Sequence, residues 1–219
     1  PRKNIKTFCG KPMVVWSIEA ALQSGSFDHV IVSTDDAEIA EVAQQYGALV
    51  PFIRPAALSD DHAGTTAVVA HAIEWFIEQG QTPELVCCLY ATAPFVTAAD
   101  LRRGLQALTD SGCDFAFSVT SYPFPIQRAI RITETGRVEM FNPEHFNTRS
   151  QDLEETFHDA GQFYWGRADA WLQNKVIFGL TSTPVKLPRH RVQDIDTNED
   201  WVRAEWLFKA NNPKIGNTP

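Results

Sequence analysis

Apolar and polar positions along the chain alternate between two spacings. Residues 12–24 read as a helix, with Pro12 at a first-turn position and Gly25 as its stop. His29-Val30-Ile31-Val32-Ser33-Thr34 is a short apolar strand that ends in Asp35-Asp36. Residues 37–46 form a helix closed by Gly47. Residues 65–79 form another, with apolar positions at Val68, Ala72, Ile73, Trp75 and Phe76. Leu85-Val86-Cys87-Cys88-Leu89-Tyr90 is continuously apolar, as suits a strand covered on both faces. A helix over 97–108 follows, with Thr97 and Asp100 at capping-box spacing, and then a strand over 115–120. This order predicts an α/β fold: an open, mostly parallel sheet with helices on both faces.

The rhythm changes at Ser121. Two proline-rich steps, a hairpin around Glu134-Thr135-Gly136 and a polar stretch to His158 read as an inserted substrate or dimer region, 121–158. The core resumes at Gly161-Gln162-Phe163-Tyr164-Trp165, and a helix over 198–209 closes the pattern. A length of 219 residues suits one domain carrying this excursion. Ligands of open α/β sheets sit at the carboxyl ends of the strands. Those ends are Asp35-Asp36, 91–94, 120–125 and the segment around Asp194.

Charge narrows the function. A formal net charge of -8 argues against nucleic acid and anionic membrane as partners. An anionic substrate would then need cations gathered locally. Cys9, Cys87, Cys88 and Cys113 match no zinc spacing and read as reduced thiols. No signal peptide or membrane-length apolar run is visible, so the cytoplasm is the expected compartment. His62, His71, His158 and His190 are scattered without a nucleophile–base pattern, and there is no phosphate-binding Gly-Lys-Ser/Thr loop.

Four clusters carry candidate chemistry. In Asp194-Ile195-Asp196, residues two apart in an extended segment point to one side, which suits Mg²⁺. The bland alternative is a turn into the next helix, where Thr197 and Asp200 have capping-box spacing. Arg2-Lys3-Asn4-Ile5-Lys6 places cations where a triphosphate could be neutralised, or is a solvated basic end. Arg54-Pro55, with Asp61, Ala63, Thr65 and Thr66 beyond, shapes a base and ribose pocket or simply caps a helix. Arg149, within Arg149-Ser150-Gln151-Asp152-Leu153, suits a sugar carboxylate or a surface ion pair.

Together these segments resemble the cytidylyltransferase family that contains the CMP-N-acetylneuraminate synthetases, over nearly the whole chain. Pro1-Arg2-Lys3-Asn4 is similar to the end of that family's glycine-rich nucleotide loop, and Arg54-Pro55, Asp61, Ala63 and Thr65 to the segment that holds cytosine. Asp194-Ile195-Asp196-Thr197 resembles its metal-binding aspartates, and Arg149-Ser150-Gln151-Asp152-Leu153 its sugar-side stretch. A narrower likeness, to pseudaminic acid cytidylyltransferases, rests on residues 90–95, 118–129 and 158–166. Where the sialate enzymes usually carry Gln, this chain has Tyr90, so no Gln contact is carried over there. The family's first strand and most of its glycine-rich loop are expected ahead of Pro1, beyond this sequence.

The resemblance implies a Rossmann-like sheet of the nucleotide-diphospho-sugar transferase type. It implies an enzyme that joins an acidic nine-carbon sugar, best matched by pseudaminic acid, to CMP from CTP with Mg²⁺ as cofactor. Lys3, Asp194 and Asp196 would be catalytic, with both aspartates on the metal. Arg2, Asn4, Arg54, Ala63 and Thr65 would bind the nucleotide. Gln127, Arg128, Arg149, Gln151, Gln162 and Tyr164 would face the sugar. The carboxylates are expected to converge across a cleft from the lysine and arginine donors. A homodimer is implied, with 121–158 crossing to the partner. Sialic, legionaminic and 3-deoxy-octulosonic acids stay open as acceptors. A glycosyltransferase and a non-catalytic nucleotide-binding protein are the rival readings.

Overall fold

The computed structural model describes residues 2–60 and 63–212. Pro1, Asp61 and His62, two of them expected nucleotide-side positions, lie outside the described residues. In chain order, the hairpin β1 (Thr7–Phe8) and β2 (Lys11–Pro12) leads into α1 (Met13–Ser24) and α2 (Ala37–Gln45). Then come α3 (Thr65–Glu78), β3 (Leu85–Leu89), α4 (Ala98–Ser111) and β4 (Phe115–Ser121). A hairpin, β5 (Ile130–Ile132) and β6 (Val138–Met140), stands apart from the main sheet around the expected Glu134-Thr135-Gly136 turn. The chain finishes with β7 (Phe157–Arg167), α5 (Ala168–Leu172), β8 (Ser182–Lys186) and α6 (Asn198–Asn211).

The main sheet has the order β3-β7-β4-β8. β7 runs antiparallel to both β3 and β4, and β4 runs parallel to β8. Three strands therefore share one direction and β7 opposes them. The faces follow from alternation along β7. Phe163 and Trp165 pack with Ala20 and Ala21 of α1 and Leu101 and Leu108 of α4. Tyr164 points the other way, into the cluster with Val69 and Ile73 of α3 and Trp171 of α5. α4 approaches closely because residue 104 is glycine. A Cβ there would lie 2.5 Å from Trp165 Cδ1 and 2.7 Å from Phe163 Cε2.

Two elements differ from the reading of the pattern. The expected strand over residues 29–34 makes only an isolated parallel bridge, Ile31 with Leu49. Both Val30–Ser33 and β3 line a cleft of about 970 Å³, which separates them and leaves this segment a partner on one side alone. Conversely, β8 was not visible in the pattern. It carries Ser182, Thr183 and Pro184, with only Val185 buried, as an edge strand allows.

Apolar burial brings the two ends of the described chain together. Phe8 sits edge-on to Trp201 at 5.4 Å and Phe208 at 5.3 Å, and Lys6 lies over the Trp201 ring at 4.2 Å. The N-terminal segment is thereby held against α6.

Candidate active site

The cleft is bounded by α1, the 26–33 segment, α3 and β3. At its polar end lie Asn4, Ser33, Arg54, Ala63, Thr65 and Tyr90. Four of the expected nucleotide residues, Asn4, Arg54, Ala63 and Thr65, thus share one wall system although 61 sequence positions separate the first from the last. Asn4 is fixed by its backbone carbonyl, which accepts from Val14 N at 2.8 Å at the start of α1. Arg54 is fixed at both ends. Its backbone N–H donates to Thr34 O at 2.9 Å, and its guanidinium donates to Ser59 Oγ at 3.1 Å and Asp35 Oδ1 at 3.3 Å. Ser33 Oγ is buried on the same side with no partner. Thr65 opens α3, and its hydroxyl lies 3.2 Å from the Tyr90 hydroxyl.

Arg2 and Lys3 connect this cleft to the late aspartates. Arg2 pairs with Asp36 at 3.1 Å and with Glu38, at the N-terminal end of α2. Asp36 caps that helix by accepting from Glu38 N and Ile39 N. Lys3 Nζ donates to Ile195 O at 2.8 Å and to Asp196 Oδ1 at 3.1 Å. Lys3 therefore sits on the carboxylate itself, where the sequence suggested that a cleft would separate them. The reason is Phe8, whose burial against α6 draws the preceding residues over residues 195 and 196.

Asp194 and Asp196 are both exposed, and Ile195 between them is 2% exposed in the core. This is the alternation expected of two carboxylates on one side of an extended segment. Asp194 Oδ1 also accepts from Ile195 N at 2.9 Å. Among the described residues no three His, Cys, Asp or Glu side chains gather as metal ligands. Two hard carboxylate oxygen donors suit Mg²⁺, which takes its other ligands from water and substrate phosphate.

The segment before these aspartates is bolted down. Asp100, at the third position of α4, accepts from Arg191 Nη1 at 2.6 Å, Arg103 Nη2 at 2.7 Å and Thr97 Oγ1 at 2.6 Å. Burial pushes its carboxyl up, but these donors outweigh burial and hold it at about 2. Gln162 Nε2 donates to Arg191 O at 2.6 Å, which locks the same turn to β7.

The expected sugar-side residues are spread out. Tyr164 is buried on β7 and donates to Asp159 Oδ2. Gln162 is buried, with its carbonyl oxygen unpartnered. Gln127 donates to Glu154 O at 3.0 Å within the 121–158 stretch, and Arg128 and Gln151 are exposed. Arg149 is 71% exposed and forms a surface ion pair with Asp152 at 2.7 Å inside its own turn. Asp159 and the Tyr90 hydroxyl were missed. Both lie in strings singled out for their likeness, but spacing gives no sign that β7 folds Asp159 back onto Tyr164.

A family model described as "Cytidylyltransferase" matches residues 1–201. The chain belongs to this cytidylyltransferase family. It is a nucleotidyltransferase with the α/β fold expected. It is 48% identical over 212 residues to a pseudaminic acid cytidylyltransferase of Campylobacter jejuni, covering 97% of this chain and 91% of that one. It is 29% identical to a CMP-N,N'-diacetyllegionaminic acid synthase of Legionella pneumophila, covering 98% and 93%. Among solved structures, a CMP:2-keto-3-deoxy-manno-octonic acid synthetase complexed with CTP superposes with a TM-score of 0.67. It shares 16% identity over 95% of this chain and 92% of that one, a likeness of fold. No helix among the described residues is long and apolar enough to cross a membrane.

Proposed function

We propose that this enzyme transfers CMP from CTP to the anomeric hydroxyl of pseudaminic acid. The anomeric oxygen forms a bond to the α-phosphorus, the bond from that phosphorus to the pyrophosphate oxygen breaks, and the hydroxyl proton is lost to solvent. The structural observation that carries the reading is one short segment, Arg2-Lys3-Asn4. It joins the cleft holding Arg54, Ala63 and Thr65 to the paired carboxylates Asp194 and Asp196. The choice of sugar acid rests on the 48% identity to a relative of that name.

Asn4, Arg54, Ala63 and Thr65 hold the nucleoside. Lys3 and Arg2 bring positive charge to the triphosphate, where charge grows on phosphate oxygens in the transition state. Asp194 and Asp196 would hold Mg²⁺, which when bound supplies charge neutralisation and a template for phosphate oxygens. Gln127, Arg128 and Gln151 are left for the sugar side, whereas Arg149 is held in the ion pair of its own turn and the buried Gln162 and Tyr164 are held by Arg191 O and Asp159. The 121–158 stretch exposes Phe124, Ile132, Val138, Phe141 and Phe146, an apolar surface suited to a second copy in a homodimer. The reaction belongs in the cytoplasm, where CTP is available.

The test is pyrophosphate release from CTP with pseudaminic, sialic, legionaminic and 3-deoxy-octulosonic acids, with Mg²⁺ and with EDTA. Fastest release with pseudaminic acid, abolished by EDTA, supports the reading. Release only with another of these acids overturns the choice of acceptor. No release with any of them overturns the activity.

A further inference from the structure

Proline follows Arg54 and bars the helical region to the residue before it, so Arg54 is extended. Its backbone N–H is anchored on Thr34 O at 2.9 Å. A single 3-10 turn over Ala56–Leu58 then carries the chain back, with Leu58 N donating to Pro55 O at 2.9 Å and Ser59 N to Ala56 O at 3.0 Å. That return places Ser59 Oγ 3.1 Å from Arg54 Nε. The Ser59 hydroxyl gives its proton to Pro55 O at 3.0 Å, which leaves its oxygen to accept from Arg54.

A second hold comes from the end of the 29–34 segment. Adjacent residues of an extended chain point to opposite sides. Asp36 turns toward α2, where it accepts from Glu38 N and Ile39 N, and toward Arg2. Asp35 turns the other way, and its Oδ1 accepts from Arg54 Nη2 at 3.3 Å. Arg54 Nη1 lies 3.5 Å from Ser33 O. Three of the five guanidinium N–H groups are thereby engaged, and among the described residues each terminal nitrogen keeps one. Arg54, Ser33 and Ser59 line the cleft, whereas Asp35 is half exposed and stands outside its lining. A planar fork held at three points keeps one orientation, so its remaining donors have one direction. The Asp35 carboxylate also offsets the guanidinium charge. The donors left over suit an uncharged oxygen, a carbonyl or a hydroxyl, rather than a phosphate.

We propose that Asp35 and Ser59 are positioning residues: they hold the Arg54 guanidinium so that its two remaining N–H groups meet an uncharged oxygen of the bound nucleoside. The inference rests on the proposed cytidylyltransferase reading, since it needs a nucleoside at Arg54. Asp35 acts through Arg54 without touching the nucleotide.

Calorimetric titration with CTP and with CMP, without sugar, tests it on the wild type, Asp35→Asn, Ser59→Ala, Arg54→Met, and Asp35→Asn and Ser59→Ala each combined with Arg54→Met. Asp35→Asn and Ser59→Ala should each weaken CTP binding about three- to ten-fold, the worth of one directed hydrogen bond. Neither change should weaken binding further once residue 54 is methionine. CMP, which has the same nucleoside and no triphosphate, should lose the same factor. A merely structural role would weaken binding equally with or without the Arg54 guanidinium, and that result overturns the inference. So does unchanged binding in both single variants, or a loss confined to CTP, which would put Arg54 on the phosphates. If Asp35→Asn fails to fold, the Ser59→Ala cycle decides alone, because it removes only a hydroxyl. A wild type that binds neither nucleotide overturns the nucleotide reading itself. A wild type that binds both with no coupling overturns only the clamp on Arg54.

Discussion

Asp100 shows how one buried charge serves both stability and the site. Its carboxyl is 3% exposed and held at about 2 by Arg191, Thr97 and Arg103 against the cost of burial. The folded value lies below the unfolded one of ~3.9. Stability from this group is therefore fully present above about pH 4 and is lost as pH falls through about 2. The difference amounts to about 2 kcal/mol. Asp100→Asn should cost about 3 kcal/mol at pH 7, since it leaves Arg191 without its anion. Urea unfolding at successive pH values should show the gap to wild type closing between about pH 4 and 2. A pH-independent gap would mean that the ion pair is not its origin. Side-chain roles were the least legible part of the sequence. Arg149 reads equally as a sugar ligand and as a surface ion pair, because spacing does not reveal that Asp152 is its nearest partner. Gln162 looks available until β7 buries it against the Arg191 carbonyl.

Elements were more legible, because their signals are local. Thr97 with Asp100, and Thr197 with Asp200, both form complete capping boxes, as their spacing suggested. At the second of these, the Asp200 carboxylate also accepts from Asp196 N at 3.3 Å, so the cap of α6 steadies a candidate metal ligand. Thr197→Ala should cost about 1 kcal/mol, a melting temperature lower by about 3 °C, with a weaker Mg²⁺ dependence of activity. Unaltered melting by calorimetry would show that the cap is redundant. Gly104 is a second checkpoint. Gly104→Ala improves helix propensity but drives Cβ into Trp165 and Phe163, so a net loss of about 2 kcal/mol is expected in urea unfolding. The elements that escaped the pattern are those whose identity depends on neighbours. β8 is a polar edge strand recognisable only once β4 is beside it, and residues 29–34 are apolar yet pair only at Ile31.

At the scale of the whole molecule, the layer order and both helical faces were legible, since alternating strand and helix leaves few arrangements. The antiparallel β7 was not, because direction depends on how the 121–158 stretch returns to the sheet. That stretch leads to an expectation about assembly. Sedimentation should show a homodimer, and Phe141→Asp with Ile132→Asp should yield monomers that stay folded. Monomeric wild type would remove the dimer. The more fundamental long-range relation is between the two chain ends, where the burial of Phe8 against α6 carries Lys3 onto Asp196 and the cleft residues close behind. If those carboxylates serve the triphosphate, their loss should strike turnover rather than folding. The decisive measurement is pyrophosphate release by Asp196→Ala at saturating CTP and sugar, across a Mg²⁺ titration. A folded variant whose kcat falls by at least a hundredfold, the scale of about 3 kcal/mol lost from the transition state, is the expected result. Turnover at the wild-type rate, with unchanged Mg²⁺ dependence, would contradict it.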